Sequence, residues 1–187
     1  MSERRADSPM DPARVVEEWR RPMYALAYHM LGNTQDAMDA TQEIFVRVLA
    51  GLSRYRPGES DESFKAWIYT LGTRAVLEWM RRRRRARRRE TVAAAKILDD
   101  RNGDPAFQAE SAETAALVRS QVFELPEDLR AAVVLHYYHG LNQSDAAVAL
   151  GIPRTTLRAH LDGALERLRG RLSAAGRGSL RYSSRWP

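Results

Sequence analysis

Two clusters of arginine are the strongest chemical signal in this chain of 187 residues. Nine arginines and one glutamate lie between residues 74 and 89, and eight arginines with two acidic residues lie between residues 154 and 187. Because the net charge of the whole chain is only +6, the remaining residues are acidic on balance. Two separated basic segments in an acidic chain predict contact with a polyanion at two places.

The second basic segment begins with the second helix of a predicted helix-turn-helix at residues 142–172. A short helix ends at Leu150-Gly151, and a longer helix with regularly spaced leucines follows Ile152-Pro153. In such motifs the first turns of the second helix reach base edges, where arginine pairs with guanine and threonine offers a hydroxyl or a methyl group. The candidate DNA-reading residues are Arg154, Thr155, Thr156, Arg158 and His160. The alternative is an ordinary helical hairpin with a solvated polar face.

The first basic segment follows a stretch with many aromatic side chains. Arginines that neutralise phosphates supply affinity without sequence choice. Each phosphate neutralised contributes about −0.9 to the salt slope, which is the slope of the logarithm of the binding constant against the logarithm of salt concentration. Nearby aromatic rings suit an unpaired strand, because exposed bases stack on them. Helical spacing predicts Phe64, Trp67 and Trp79 in the core, which leaves Tyr55 and Tyr69 as candidate nucleotide contacts. A solvated helix end and an RNA-binding patch are the alternatives for the arginines.

A predicted helix after Asn33 has a polar, largely acidic outer face. Its members recur at three- and four-residue spacing: Asp36, Asp39, Gln42 and Glu43. This face is either solvated, with a Glu43–Arg47 ion pair, or it docks on a basic protein partner. The residues alone leave both interpretations open.

Helical periodicity throughout predicts an all-α fold of two small helical domains joined by a flexible acidic linker. The predicted ranges are 11–90 for a three-helix domain, 91–112 for the linker, 113–172 for the helix-turn-helix domain and 173–187 for a disordered tail. The linker is long for a loop inside one compact domain.

Local signals predict where individual helices begin and end. Pro12 after Asp11 predicts a helix start, and Gly32-Asn33 predicts the end of that helix. Pro22 predicts a kink or a restart within it. Asn142, with Asp145 three residues later, predicts a second helix cap.

The composition also excludes several functions. Without cysteine the chain has neither a disulfide framework nor a thiolate metal site. The sequence also contains no P-loop, no GxGxxG motif and no nucleophile elbow. No catalytic residue, metal site or cofactor is therefore expected, and His136 and His139 are interpreted as structural. Since no apolar run approaches roughly 18 residues and the start of the chain has no signal-peptide pattern, we expect no membrane insertion and a cytoplasmic location.

These residues resemble the extracytoplasmic-function (ECF) group of the bacterial sigma-70 family. The resemblance covers about residues 15–90 and 113–172. Residues 36–45 (DAMDATQEIF) are similar to the family's region 2.2, and residues 64–69 (FKAWIY) to the segment that precedes its arginine-rich helix end. Elements at region 4 spacing are Leu125-Pro126, Gly140-Leu141, residues 150–153 (LGIP) and residues 165–169 (LERLR).

The resemblance implies a sigma factor that directs transcription initiation. Its partners would be core RNA polymerase, through the β′ clamp helices and the β flap, promoter DNA and, in many members, an anti-sigma factor. The acidic face would bind polymerase through Asp36, Asp39, Gln42 and Glu43. The predicted recognition helix would read the −35 element as duplex.

The resemblance also implies that the loop at residues 54–62 and the helix after it capture the −10 element as it melts. The residues implied there are Arg54, Tyr55, Arg56, Tyr69, Arg74, Glu78, Arg81, Arg82, Arg84 and Arg85. The family often has asparagine and aspartate at the positions of Arg74 and Glu78. Because arginine cannot accept hydrogen bonds, a different −10 base preference is expected.

Two other functions remain alternatives at this point. One is a helix-turn-helix regulator that never joins polymerase and uses its N-terminal domain for dimerisation or sensing. The other is an arginine-rich RNA-binding protein, in which residues 70–90 alone would bind RNA and the C-terminal domain would be dispensable.

Overall fold

The computed structural model describes residues 11–56, 61–90 and 112–174, and every regular element in those ranges is a helix. The all-α prediction is therefore confirmed. The elements are α1 (Pro12–Leu31), α2 (Thr34–Leu52), α3 (Asp61–Glu90), α4 (Ala112–Phe123), α5 (Glu127–Val133), a π-helical segment (Val134–Tyr138), α6 (Gln143–Leu150) and α7 (Arg154–Ala174). The predicted linker and tail fall almost wholly outside the described residues.

The predicted starts of α1 and α2 are confirmed, and a side chain caps each of them. The Asp11 carboxylate accepts a hydrogen bond from the Ala13 amide at 3.0 Å, and the Asn33 side chain accepts one from the Asp36 amide at 2.7 Å. Gly32 ends α1 in the left-handed region with φ 76°. The predicted restart at Pro22 is wrong, because α1 runs through it as one helix. Buried side chains on both sides of Pro22 hold the two halves of that helix against the same core.

Helices α1, α2 and α3 pack into a three-helix unit. Its fully buried side chains include Met23, Leu26, Ile44, Val48 and Ile68. Gly72 of α3 lets this helix approach α1 closely, since a Cβ atom there would lie 2.9 Å from the Met23 sulfur. This unit is the frame that positions the aromatic and arginine residues of α3.

The second unit contains the predicted helix-turn-helix. The Asn142 side chain accepts a hydrogen bond from the Asp145 amide at 2.9 Å, which confirms the predicted cap of α6. Gly151 ends α6 with φ 69°, and α7 begins three residues later. Leu157 and Leu161 point into the core, so the opposite side of the first turns of α7 faces outward.

The π-helical segment lies between α5 and α6 and is not predicted by the sequence pattern. The His139 amide donates to the Val134 carbonyl at 3.1 Å, five residues back. Such a turn changes the direction of the side chains that follow it. Here it leaves Leu135 buried while His139 faces α3.

The two units share an interface in this structure. Helices α4 and α5 and the π-helical segment lie against α1, and α6 lies against α3. Their buried apolar side chains form one continuous cluster. The interface therefore brings the C-terminal unit onto the helix that carries the first arginine cluster.

The Asn33 cap supports the turn between α1 and α2, and its loss should be measurable. We expect Asn33→Ala to lower the free energy of unfolding by about 1 kcal/mol, because the Asp36 amide loses its acceptor. Urea unfolding followed by circular dichroism measures this change. Gln35→Ala, at an exposed position two residues later, is the matched control. Equal stability of the two variants would contradict the role of the cap.

Candidate nucleic-acid interface

The C-terminal part of α3 carries five consecutive arginines, residues 81–85. Since successive residues of an α-helix are about 100° apart, this run places positive charge around the whole helix. Arg81, Arg82, Arg84 and Arg85 are exposed, and Arg74 is exposed two turns earlier. The exposed guanidinium groups form a surface that a phosphate backbone can reach.

Acidic side chains from both units neutralise part of this run. Arg82 pairs with Glu43, Arg83 pairs with Asp36, and Arg84 pairs with Glu127. Arg83 also lies over the Trp79 ring, with 5.1 Å between the guanidinium carbon and the ring centroid. Surface ion pairs of this kind are each worth only about 0–1 kcal/mol, so phosphates can displace the carboxylates.

The predicted acidic face of α2 divides into two parts. Asp39 and Gln42 are exposed on the outer surface. Asp36 is turned towards Asn33 and the arginine run, and Glu43 lies between α2 and α3. The predicted Glu43–Arg47 ion pair is confirmed at 2.5 Å. Burial opposes ionisation of Glu43, but hydrogen bonds from Arg82 and Arg47 outweigh it and lower its pKa.

Most of the aromatic residues lie at or before the start of α3, whereas Trp79 lies next to the arginine run. Phe64 is buried, and Trp67 and Trp79 are partly buried, as their spacing predicts. Tyr55 is half-buried, 5.2 Å from Phe64 and 4.8 Å from Trp67 between ring centroids. Arg54 and Arg56 on either side of it are exposed, so the edge of this aromatic group adjoins positive charge.

Tyr69 is placed differently from the expectation of an accessible nucleotide contact. It is only 4% exposed, and its hydroxyl lies 3.0 Å from Nδ1 of His139. Burial raises the pKa of Tyr69 to about 12. The His139 ring lies 5.1 Å and the Trp19 ring of α1 lies 5.9 Å from the Tyr69 ring between centroids, so in this arrangement Tyr69 cannot stack on a base.

His139 belongs to a joint between the two units that sequence reasoning missed. We call the following residues the interdomain joint: His29, Tyr69, Phe123, Arg130, Tyr138 and His139. The His29 ring lies 4.5 Å from the Tyr138 ring and 5.9 Å from the His139 ring. Arg130 Nη1 donates to the Met30 carbonyl at 2.9 Å, and its guanidinium lies over the Phe123 ring at 4.5 Å. The buried arginine thus binds the end of α1 to α5.

Gly32 lies at this joint, where the Phe123 ring packs against it. The Phe123 ring occupies the space where a Cβ atom of residue 32 would lie, within 2.1 Å. The glycine is therefore required twice, for its left-handed backbone and for the close approach of Phe123. The sequence indicates only the first requirement.

The predicted DNA-reading residues begin α7. Arg154, Thr155 and Arg158 are exposed, and Thr156 is half-buried. Arg158 lies 4.0 Å from Asp162 in an exposed pair that leaves it accessible. The structure thus brings three of the five candidates onto an open surface at the start of α7.

His160 is the exception among these candidates. It is half-buried and lines a cleft of about 210 Å³ between α3 and the second unit. Arg81 and Arg84 line the same cleft. Candidates from both DNA-binding sets therefore line the same cleft between the units.

Two features bear on the expectations about membranes and metals. Within the described ranges, no helix has both the length and the apolarity needed to cross a bilayer. In the same part of the chain, no three metal-binding side chains come together. His136, which the sequence analysis interprets as structural, has its Nδ1 atom 2.7 Å from the Leu141 carbonyl oxygen.

Comparison with known protein families identifies both units. Residues 15–86 match the family model for sigma-70 region 2, and residues 116–168 match the model for sigma-70 region 4. Together the two matches cover well over half of the chain. They follow the same order as the three-helix unit and the helix-turn-helix unit.

Curated relatives agree with these matches. The chain is 30% identical over 159 residues to the ECF RNA polymerase sigma factor SigE of Mycolicibacterium smegmatis. The aligned region covers 85% of this chain and 60% of that protein. It is 24% identical over 168 residues to the ECF RNA polymerase sigma factor SigW of Bacillus subtilis, and this aligned region covers 86% of this chain and 88% of that protein. The chain thus spans less than two thirds of the first relative and most of the second.

Solved structures show the same fold. The sigma factor RpoE in complex with the anti-sigma factor NepR, from Bartonella quintana, matches with a TM-score of 0.70 at 19% identity, covering 86% of this chain and 96% of that one. CnrH in complex with the cytosolic domain of CnrY matches with a TM-score of 0.60 at 20% identity, and the match covers 87% of this chain and 88% of that one. At these identities the matches concern the arrangement of helices alone.

The two histidines of the interdomain joint predict a pH dependence. Burial and nearby Arg119 lower the pKa of His29 to about 4, and burial, His29 and Lys65 lower the pKa of His139 to about 3. Separated units would expose both rings, whose ordinary pKa is about 6.5. Protons therefore bind better to the separated form, and the joint weakens as the pH falls below about 6.5. At pH 5.5 we expect each ring to lower the equilibrium constant for docking of the two units by about tenfold.

Small-angle X-ray scattering of the full chain between pH 7.5 and pH 5 measures this effect as an increase in radius of gyration. His29→Phe should reduce the pH dependence, because it removes one titrating ring from the joint. His136→Asn is the control, since His136 bonds within its own unit. A radius of gyration that stays constant across this range would contradict the prediction.

Proposed function

The chain belongs to the ECF group of the sigma-70 family of RNA polymerase sigma factors, and we propose that it places its two basic surfaces on one promoter. The exposed guanidinium groups on α3 and on the first turns of α7 carry this proposal. They lie in the two parts of the chain that match region 2 and region 4. The factor supplies binding and strand capture, and the polymerase supplies the chemistry.

The start of α7 reads the −35 element in the duplex. Arg154, Thr155 and Arg158 are exposed where a recognition helix meets base edges. An arginine fork can bond two acceptors of a guanine, and a threonine contributes a hydroxyl or a methyl contact. The proposed −35 unit is 113–172, and the proposed −10 unit is 11–90, with residues 91–112 as the linker.

Helix α3 and the residues before it bind the −10 element. Arg81, Arg82, Arg84 and Arg85 supply phosphate contacts, while Arg54, Tyr55 and Arg56 adjoin the aromatic group where an extruded base can stack. Unstacking one base costs about a few kcal/mol, and these contacts offset that cost. Arg74 and Glu78 present polar groups at the positions that set base preference.

Tyr69 has a conditional role in this proposal. Its ring is covered by the interdomain joint, so it reaches a nucleotide only after the second unit moves away from α3. The two DNA elements lie apart on a promoter, and a factor that binds both also needs its units apart. We therefore assign Tyr69 to the promoter-bound form.

Core RNA polymerase binds the outer face of α2. Asp39 and Gln42 are exposed there, with Glu43 at the edge next to α3 and Asp36 further towards the helix start. Carboxylates on a rigid helix suit a basic partner surface. An anti-sigma factor is a further proposed partner, because two structures with the same fold are complexes of sigma factors with such proteins. The site of action is then the cell interior, where polymerase transcribes.

Run-off transcription tests this function directly. Core RNA polymerase is combined with the purified chain and a library of genomic promoter fragments, in low salt and without other sigma factors. We expect transcripts with defined start sites from a subset of fragments. A chain that binds duplex DNA but never co-purifies with core polymerase would instead support a helix-turn-helix regulator.

The outer face of α2 predicts a specific loss of polymerase binding. Asp39→Ala removes an exposed carboxylate from the proposed contact, and we expect core polymerase to bind about three- to tenfold more weakly. A pull-down titration with labelled chain measures this affinity. Glu17→Ala removes an exposed carboxylate from α1 and serves as the control. Equal losses in both variants would contradict a localised contact.

The two basic surfaces should respond differently to the loss of one arginine. We expect Arg154→Ala to weaken promoter binding by about 1–3 kcal/mol and to relax sequence choice within the −35 element. Arg81→Ala should weaken binding to all promoters alike and reduce the salt slope by about 1. Competition binding with altered −35 sequences at several salt concentrations measures both effects. Arg167→Ala, exposed late in α7, is the control.

A further inference from the structure

Four charged side chains form a continuous network between α2 and α3. Nη2 of Arg47 lies 2.5 Å from Glu43 and 2.8 Å from Glu78, and Glu43 also pairs with Arg82. The order is therefore Glu78, Arg47, Glu43, Arg82, with acid and base alternating. We call these four residues the α2–α3 network.

The members of this network have different proposed partners. Glu43 belongs to the proposed polymerase-binding face, whereas Glu78 and Arg82 belong to the proposed −10 surface. Arg47 belongs to neither set, and its side chain is 29% exposed, less than the 49% of Glu78. Its contacts are with the protein's own carboxylates rather than with an open surface.

Resting on the proposed function, we propose that Arg47 is a positioning residue that couples polymerase binding at Glu43 to base selection at Glu78. Its Nη2 atom carries two N–H donors and contacts both carboxylates, and the planar guanidinium fork fixes the directions of these donors. Lysine offers a point charge without that geometry. The side chain of Glu78 is thereby held at a defined place on α3.

The charge states of the network agree with this role. The hydrogen bond from Arg47 lowers the pKa of Glu78, and the charge of Glu43 raises it. The same contact with Glu78, followed by the contact with Glu43, raises the pKa of Arg47. Both carboxylates therefore stay ionised close together because Arg47 lies between them.

Polymerase binding changes the balance of these contacts. When a basic polymerase surface engages Glu43, Arg82 loses its carboxylate and becomes available to a phosphate. Arg47 then keeps Glu78 as its partner, which orients that carboxylate more firmly towards the −10 bases. Coupling between two binding sites is reciprocal, so promoter contact at Arg82 also favours polymerase binding through Glu43. Exposed ion pairs set the size of the effect at about two- to fivefold.

Transcription from promoters altered at each −10 position tests the proposal, using the full chain with core polymerase. We expect Arg47→Ala to reduce discrimination among −10 bases about two- to fivefold. The altered preference should match that of Glu78→Ala, and the double variant should show little further change. Arg47→Lys should restore only part of the discrimination, because it keeps the charge and loses the fork.

Three comparisons make the result decisive. Arg20→Ala, an exposed arginine on α1, is the matched control and should leave the −10 preference unchanged. Equal thermal unfolding of wild type and Arg47→Ala shows that the fold is kept. A uniform fall in transcription from every −10 sequence, or additive effects of Arg47→Ala and Glu78→Ala, would overturn the coupling.

A second measurement does not depend on transcription. The pKa of the Glu78 carboxyl group, followed by carbon NMR in the free protein, should rise in Arg47→Ala and stay unchanged in Arg20→Ala. An unchanged value in Arg47→Ala would overturn the network itself. If wild type starts no transcript, the proposed function fails together with the coupling, whereas an active wild type with an unchanged −10 preference in Arg47→Ala overturns the coupling alone.

Discussion

Repulsion among the five consecutive arginines of α3 is the constraint on which the rest of this structure depends. The packing of helices cannot move these charges apart, because the five arginines follow one another directly in the sequence. Carboxylates supply the counter-charge from both units: Asp36 and Glu43 from α2, and Glu127 from α5. The pairs are solvent-accessible and therefore weak enough for a phosphate backbone to replace them. The groups that stabilise the free chain are thus also available to a promoter.

The interdomain joint rests on different physics. It buries two neutral imidazoles, a tyrosine hydroxyl and one guanidinium between α1, α3 and α5. Burial lowers the pKa of Arg130, and the charges of Glu127 and Glu124 oppose that change, while the guanidinium contacts the Met30 carbonyl and the Phe123 ring. These polar contacts add specificity to the continuous apolar cluster that the two units share.

The interdomain joint and the α2–α3 network act on the same helix. One covers Tyr69 near the middle of α3, and the other places Glu78 and Arg82 further along it. The proposed −10 surface is consequently shaped by contacts from both units before any DNA is present. In the proposed function, polymerase on α2 and DNA on α3 compete with these internal partners rather than with water alone.

Several features of the fold and the site were predictable because they depend on neighbours in sequence. The caps at Asn33 and Asn142, the left-handed Gly32 and the Glu43–Arg47 pair at four-residue spacing are all local. The helix-turn-helix follows from two helices and the glycine turn between them. The π-helical segment was not predictable, since its side chains would suit an α-helix equally well and packing selects the longer turn.

The sequence by itself determined the all-helical elements, the two basic surfaces and the family to which the chain belongs. Only the tertiary structure decided which of those residues are accessible. Arg82 and Glu43 are 39 positions apart, Arg84 and Glu127 are 43 apart, and Tyr69 and His139 are 70 apart. Helical periodicity specifies the face on which a residue lies but not what will cover that face. These partners meet because apolar burial brings distant helices together, and the charges and rings then pair with whatever that packing places beside them.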